Sequence, residues 1–140
     1  MVIGALQLRP AAIAQPEARL GTLVAYLRAA VLPSAIRHER CHAVFVDPQR
    51  RFLGDTSVGL GNFSALSLRM RDVFAEALRL GASGMILAHN HPSGECRPSD
   101  NDIAATRRLA EVALALDVAL IDHLIFTHKA VYSMRAGGLL

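Results

Sequence analysis

The stretch Met85-Ile-Leu-Ala-His-Asn-His-Pro-Ser-Gly94, followed by Ser99-Asp-Asn-Asp102, decides the fold that we predict for this chain. Four apolar residues at 85–88 predict a short buried strand. The polar segment that begins at His89 contains proline and glycine, which predicts a loop. Ser99, with an acidic residue three positions later, predicts the start of a helix. A strand, a loop and a helix in this order indicate an α/β protein.

Elements of both kinds flank this stretch. Apolar residues at steps of three and four predict helices, and β-branched or aromatic runs between turn residues predict strands. We expect helices at 17–31, 66–80 and 99–116; strands at 42–46, 51–55, 85–88, 118–127 and 130–134; and an irregular segment or weak strand at 56–64. The third helix is expected to bury Ile103, Leu109, Val112, Ala113 and Leu116. The alternation predicts an α/β sandwich with a mixed sheet.

The length of 140 residues suits one compact domain. Because 52% of the residues are apolar, the chain can build a core and is not expected to be disordered. We place the folded domain at residues 16–140. The preceding residues, 1–15, form a short apolar N-terminal segment that contains Pro10, and they are either an edge strand or a loose tail.

The positive charge is small and dispersed. The net charge is +3, and Lys129 is the only lysine among the 15 basic residues. The longest basic clusters are pairs of arginines, whereas a nucleic-acid-binding protein usually has a concentrated basic patch. DNA binding is therefore possible but weakly supported by the sequence.

Cysteine content and hydropathy indicate the cellular compartment in which the protein works. Cys41 and Cys96 form no CxxC pair and are too few for a disulfide framework, which favours a reducing environment. The N-terminus lacks the basic and long apolar regions of a signal peptide, and no apolar run reaches the length of a membrane span. We expect a cytoplasmic protein without membrane association.

His89, His91 and Asp102 carry the strongest indication of chemistry. At the end of an extended segment, two residues at positions i and i+2 lie on one face, so both imidazoles face the same side. Asp102 lies in the first turn of the next helix. Two histidines and one carboxylate make a three-ligand zinc site that keeps one position open for water.

Each of these residues also has a purely structural interpretation. Ser99 and Asp102 match a capping box, in which Asp102 only stabilises the helix start. The two histidines on their own are compatible with a surface loop. Their combination with a buried strand before them and a capped helix after them favours a metal site.

The same residues resemble a known family. His89-x-His91, seven residues, Ser99, two residues and Asp102 fit the JAMM motif of the JAB/MPN metalloproteins. The strings ILAHNHPSG (86–94), PSDNDIAATRRL (98–109) and IDHLIF (121–126) resemble the RadC-like branch of that family. The resemblance covers residues 17–140 and includes Asn90, which is usual in that branch.

This resemblance implies a fold and a zinc centre. The fold would be the JAB/MPN fold, related to that of cytidine deaminases, with a curved mixed sheet flanked by helices. One Zn²⁺ would be bound by His89, His91, Asp102 and a water. Glu39, in the segment HERCHAVFVD, would act as general base on that water, although on its own it is compatible with a surface turn. Ser99 would stabilise the oxyanion, a role expected to compete with helix capping.

The resemblance implies a zinc-dependent metallohydrolase of the metallopeptidase or isopeptidase type. Its partner would be a protein or peptide substrate of unspecified identity. The alternative is a nucleic-acid-binding module associated with DNA repair, although the helix-hairpin-helix region that often precedes RadC-like domains has no room in this chain. Oligomeric state is not indicated by the sequence. A non-catalytic scaffold of the family would lack the ligands that this chain keeps.

Several neighbouring features receive other interpretations. Asp122-His123 on its strand predicts a supporting or core polar pair, and Cys96 is a weaker candidate for a fourth ligand or redox group. The letters His89-Asn-His91 do not indicate an HNH nuclease, whose named residues are spread over a ββα unit. A zinc nucleobase deaminase would require H-x-E and PCxxC, which this chain lacks.

Overall fold

The computed structural model describes residues 20–32, 38–60 and 66–140. In chain order the elements are α1 (Leu20–Val31), β1 (Arg40–Val46), β2 (Phe52–Leu60), α2 (Leu66–Arg79), β3 (Gly84–Asn90), α3 (Asp100–Ala115), β4 (Ala119–Phe126) and β5 (Val131–Ser133). The expected N-terminal segment, 1–15, lies outside the described residues, as does the expected start of the first helix. The domain limits therefore stay a prediction.

The five strands form one mixed sheet, as predicted. Their order is β2-β1-β3-β4-β5. The central pair, β3 and β4, is parallel, and the other pairs are antiparallel. A parallel pair needs a crossover connection, which α3 supplies. The α/β architecture expected from the sequence is confirmed.

Helices cover both faces of this sheet. Alternate residues of β1 separate into two apolar clusters because successive side chains of a strand point to opposite faces. Ala43 and Phe45 pack in one cluster with buried residues of α2 and α3. Val44 and Val46 pack in the other with buried residues of α1. Each face of the sheet therefore has its own core.

Two strands are longer than the sequence pattern indicates. The sequence predicted a loop from His89, but β3 continues to Asn90, because its residues pair with β1 on one side and β4 on the other. This pairing satisfies the backbone groups even where the side chains are polar. Of the two alternatives for 56–64, the strand is confirmed at 56–60, where β2 continues to Leu60 through pairing with β1, and residues 61–64 lie outside the described residues.

The boundaries of the other elements agree with the prediction to within a few residues. Gly81, which follows α2, has the positive φ of 64° expected of a residue after a helix end. One core expectation was wrong. Leu116 is 37% exposed because it lies in the turn after α3, where the chain has left the face that the helix buries.

A β-bulge in β4 changes which side chains face α3. Met85 pairs with Leu120 and Ile86 pairs with Asp122, so Ile121 is an extra residue. Leu120 and His123, three positions apart, consequently lie on the same face. The guanidinium of Arg135 donates to the carbonyl oxygens on either side of this irregularity, those of Leu120 and Ile121.

Among the described helices, none combines the length and the apolar composition that crossing a bilayer requires.

At Gly84, β3 leaves little space for a side chain next to the bulge residue Ile121. A Cβ there would lie 2.8 Å from Cδ1 of Ile121 and 3.1 Å from Cγ2 of Val46. We expect Gly84→Ala to lower the free energy of unfolding by about 1–3 kcal/mol through overpacking. Urea denaturation monitored by circular dichroism measures this loss.

The control is the double variant Gly84→Ala/Ile121→Val, which removes the Cδ1 atom that the new methyl group would meet. It is expected to lose less free energy of unfolding than the sum of the two single losses. Simple additivity of the two losses would contradict the close approach.

Candidate metal centre

Three ligand side chains converge where β3 ends and α3 begins. Nε2 of His89 lies 2.8 Å from Nε2 of His91. The Asp102 carboxylate lies 3.1 Å from Nε2 of His91 and 3.6 Å from Nε2 of His89. The exposed fractions of the three side chains are 1%, 10% and 4% for His89, His91 and Asp102. One ligand atom from each lies within 4.8 Å of the others, so the group could hold a metal ion.

The start of α3 explains why Asp102 points at the histidines. Ser99 is the N-cap, and its Oγ accepts a hydrogen bond of 3.0 Å from the backbone N–H of Asp102. In return, Oδ2 of Asp102 accepts from the backbone N–H of Ser99 at 2.8 Å. The capping box and the ligand group, which the sequence presented as alternatives, are therefore both present. The cap holds the carboxylate in the orientation that faces the imidazoles.

The donor chemistry of this group fits a cation. Nδ1 of His91 lies 2.7 Å from the carbonyl oxygen of Glu95, which can only accept, so Nδ1 carries the hydrogen. Nε2 of His91 is left to face Nε2 of His89 and a carboxylate oxygen. Electron-pair donors this close repel one another unless a proton or a metal ion lies among them. Two imidazole nitrogens and one carboxylate oxygen form a ligand set suited to zinc.

The electrostatics of the site favour the metal-binding protonation states of Asp102 and His89. Burial would raise the pKa of Asp102, but the neighbouring imidazoles of His89 and His91 hold it well below its usual range. Burial dominates at His89 and lowers its pKa. Burial would also lower the pKa of His91, but the hydrogen bonds that its charged form makes to Asp102 and the Glu95 carbonyl raise it, so a metal ion must displace a proton more readily held here than at His89. The carboxylate is therefore ionised, and His89 is neutral near pH 7.

Glu39 lies immediately before β1, the strand that pairs with β3. Cys41, two residues later, pairs with His89 across the β1–β3 ladder. The negative charge of Glu39 acts to raise the pKa of both His89 and His91, as the smallest of the influences on either ring. The pairing of β1 with β3 places Glu39 at the start of the strand next to His89, and its role as a base stays a prediction.

Asn90 anchors the segment that carries Glu39, a role that the sequence did not reveal. Its side chain is fully buried. Nδ2 donates to the carbonyl oxygen of His38 at 3.0 Å, and Oδ1 accepts from the backbone N–H of Arg40. The amide therefore binds the backbone on both sides of Glu39. An amide side chain suits this place because it offers a donor and an acceptor side by side.

The two residues of the predicted polar pair, Asp122 and His123, have different roles. The Asp122 carboxylate accepts from the hydroxyl of Ser133 and the backbone N–H of Arg135, so it holds the C-terminal turn. His123 instead faces the candidate centre, and its Nε2 lies 2.6 Å from Nδ1 of His89. Strict alternation of side chains along β4 would place His123 on the face opposite to Leu120. The bulge at Ile121 puts both on the same face, so the sequence pattern could not predict this contact.

Cys96 does not join the ligand group of the described residues. Its Sγ–H donates to the carbonyl oxygen of Ile125 at 3.4 Å. Burial raises the pKa of this thiol. Burial also raises the pKa of Cys41, to about 12.

Comparison with known proteins agrees with this geometry. Residues 18–139 match the model of the RadC-like JAB domain. A UPF0758 protein of Bordetella petrii is 35% identical over 133 residues, which are 95% of this chain and 56% of that protein. UPF0758 protein YkfG of Escherichia coli K12 is 35% identical over 107 residues, 76% of this chain and 68% of that protein.

A UPF0758 protein of Roseiflexus castenholzii is 37% identical over 106 residues, 76% of this chain and 46% of that protein. The chain thus spans about half the length of several of the relatives that it matches. The match to the family model covers nearly the whole chain and includes all three ligand residues. The chain belongs to the RadC-like JAB domain family.

Proposed function

We propose that this protein is a zinc-dependent metallohydrolase of the metallopeptidase or isopeptidase type. The observation that supports this most directly is the buried group of His89, His91 and Asp102, with Glu39 at the start of the strand that pairs with β3. Three protein ligands leave the fourth position of a tetrahedral ion open, which is the arrangement of catalytic rather than structural zinc sites.

The metal would supply the part of the chemistry that side chains alone cannot. Bound zinc lowers the pKa of a water ligand to about 7 and polarises a carbonyl group. Zinc is favoured over magnesium or calcium because imidazole nitrogen supplies two of the three ligand atoms. His89 and His91 would bind through Nε2, and Asp102 through its carboxylate.

Glu39 would move the proton in hydrolysis. Its carboxylate takes one proton from the attacking water as the water oxygen bonds to the substrate carbonyl carbon. It then gives that proton to the amine nitrogen as the carbon–nitrogen bond breaks. The two hydrogen bonds that Asn90 makes to the flanking backbone support this role, because they would restrict the movement of Glu39.

Ser99 would stabilise the oxyanion while it caps the helix. We expected these roles to compete, but a hydroxyl can accept one hydrogen bond and donate another. Its oxygen accepts from the N–H of Asp102, and its own hydrogen is available for a substrate oxygen. Ser99 is exposed, so a substrate can reach it. The substrate itself would be a protein or peptide that carries the amide bond.

The first test concerns the metal. The purified protein should bind one zinc per chain, and His91→Ala or Asp102→Asn should lose tight binding because each removes one of three ligands. Elemental analysis after dialysis against a weak chelator measures this. His128→Ala, at an exposed histidine outside the centre, is the matched control and should keep its zinc. Stoichiometric zinc in both ligand variants would show that the metal binds elsewhere.

The second test separates the base from the ligands. Glu39→Gln should keep zinc at the wild-type level, because Glu39 contacts the water rather than the metal. Cleavage of substrates found by screening peptide and isopeptide libraries should fall by about 10²–10⁴-fold. Glu111→Gln, at an exposed site on α3, is the control and should retain activity. Loss of zinc from Glu39→Gln would make Glu39 a ligand, and unchanged activity would place the base elsewhere.

A further inference from the structure

We propose that Thr106 and His123 are positioning residues that fix the tautomer of His89, so that Nε2 of His89 presents its lone pair to the metal. This inference rests on the proposed metal site. It extends the centre from three ligands to a hydrogen-bonded relay that joins α3, β4 and β3. The relay is fully buried, since Thr106 and His123 are 0% exposed and His89 is 1% exposed.

The direction of the relay is set at Thr106. Its Oγ1 lies 2.5 Å from the backbone carbonyl oxygen of Asp102, one helical turn earlier. A carbonyl oxygen can only accept, so the single hydroxyl hydrogen of Thr106 points at it. The same Oγ1 lies 2.8 Å from Nδ1 of His123 and must therefore accept there. It follows that Nδ1 of His123 carries a hydrogen.

The tautomer of His123 in turn determines the tautomer of His89. His123 is fully buried between the hydroxyl of Thr106 and the ring of His89, and burial disfavours a charged imidazolium there, so His123 is the neutral form. With its hydrogen on Nδ1, the ring has a lone pair on Nε2. That atom lies 2.6 Å from Nδ1 of His89, which must donate. The hydrogen of His89 is thus on Nδ1, and its Nε2 carries the lone pair.

The relay also connects two of the proposed ligands, Asp102 and His89, by hydrogen bonds. It begins at the backbone of Asp102 and ends at the ring of His89, so a shift of α3 along the sheet would disturb both. His123 can take this place only because the bulge at Ile121 turns it toward α3. Metal-binding histidines commonly need such a partner to fix their ring orientation and tautomer.

The most direct experiment reads the tautomers in the metal-free protein. Long-range ¹H–¹⁵N correlation spectra of ¹⁵N-histidine-labelled full chain at neutral pH distinguish the protonated from the bare ring nitrogen. The wild type should show hydrogen on Nδ1 of both His89 and His123. Thr106→Val has nearly the same shape but no acceptor, and it should populate the other tautomer at His123 and at His89. A hydrogen on Nε2 of either ring in the wild type would overturn the proposal.

The second readout is zinc affinity, measured by competition with a chromophoric chelator. Thr106→Val should weaken binding by about 10–100-fold, the usual effect of removing a partner of a ligand. Thr106→Ser keeps the hydroxyl and should restore both the tautomers and most of the affinity. Thr56→Val, a loss of hydroxyl on β2 away from the relay, is the matched control and should bind as the wild type does.

The outcomes separate this inference from the proposed function. If the wild type binds no zinc but shows both Nδ1 hydrogens, which Thr106→Val loses, the relay stands and the metallohydrolase proposal fails. If zinc binds and Thr106→Val changes neither tautomers nor affinity while remaining folded, the relay is wrong and the metal site stands. If Thr106→Val unfolds, the wild-type tautomers and Thr106→Ser decide the question.

Discussion

The confinement of three electron-pair donors in one nearly water-free space is the constraint on which the centre depends. The nitrogens of His89 and His91 and the carboxylate of Asp102 lie within 4.8 Å of one another. Such a group is unfavourable without a cation, because buried donors that face one another lack the water that would otherwise separate them. The surrounding structure has to hold them together. The capping box does so at Asp102, the Glu95 carbonyl at His91, and the contact with His123 at His89.

The sheet supplies the rigid part of this arrangement. Because β3 is paired on both sides and covered on both faces, the backbone at His89 has little freedom to move. The adjacent β1 carries Cys41 opposite His89 and Glu39 just before it, and Asn90 fixes that segment by two hydrogen bonds. A functional site built on central strands can keep its geometry to within the tolerance that proton transfer and metal binding demand.

Much of this arrangement could be predicted from the sequence, and the remainder depends on long-range geometry. The spacing of His89, His91 and Asp102 indicated the ligand group, and hydrophobic periodicity indicated the helices and most strands. Composition could not show that β3 continues through His89 and Asn90. Polar side chains usually indicate a loop, whereas here the backbone that carries them is paired within the sheet. The contact of His123 depends on a one-residue bulge, and the hydrogen bonds of Asn90 depend on pairing between strands that are far apart in sequence.

The measurement that tests the central claim most directly is anomalous diffraction at the zinc edge from crystals of the zinc-loaded protein. The account predicts one anomalous peak per chain, within about 2.0–2.2 Å of Nε2 of His89, Nε2 of His91 and a carboxylate oxygen of Asp102. A fourth, non-protein ligand should complete the tetrahedron. A peak at another site, ligation through Nδ1 of either histidine, or closure of the fourth position by a further protein side chain would contradict the account.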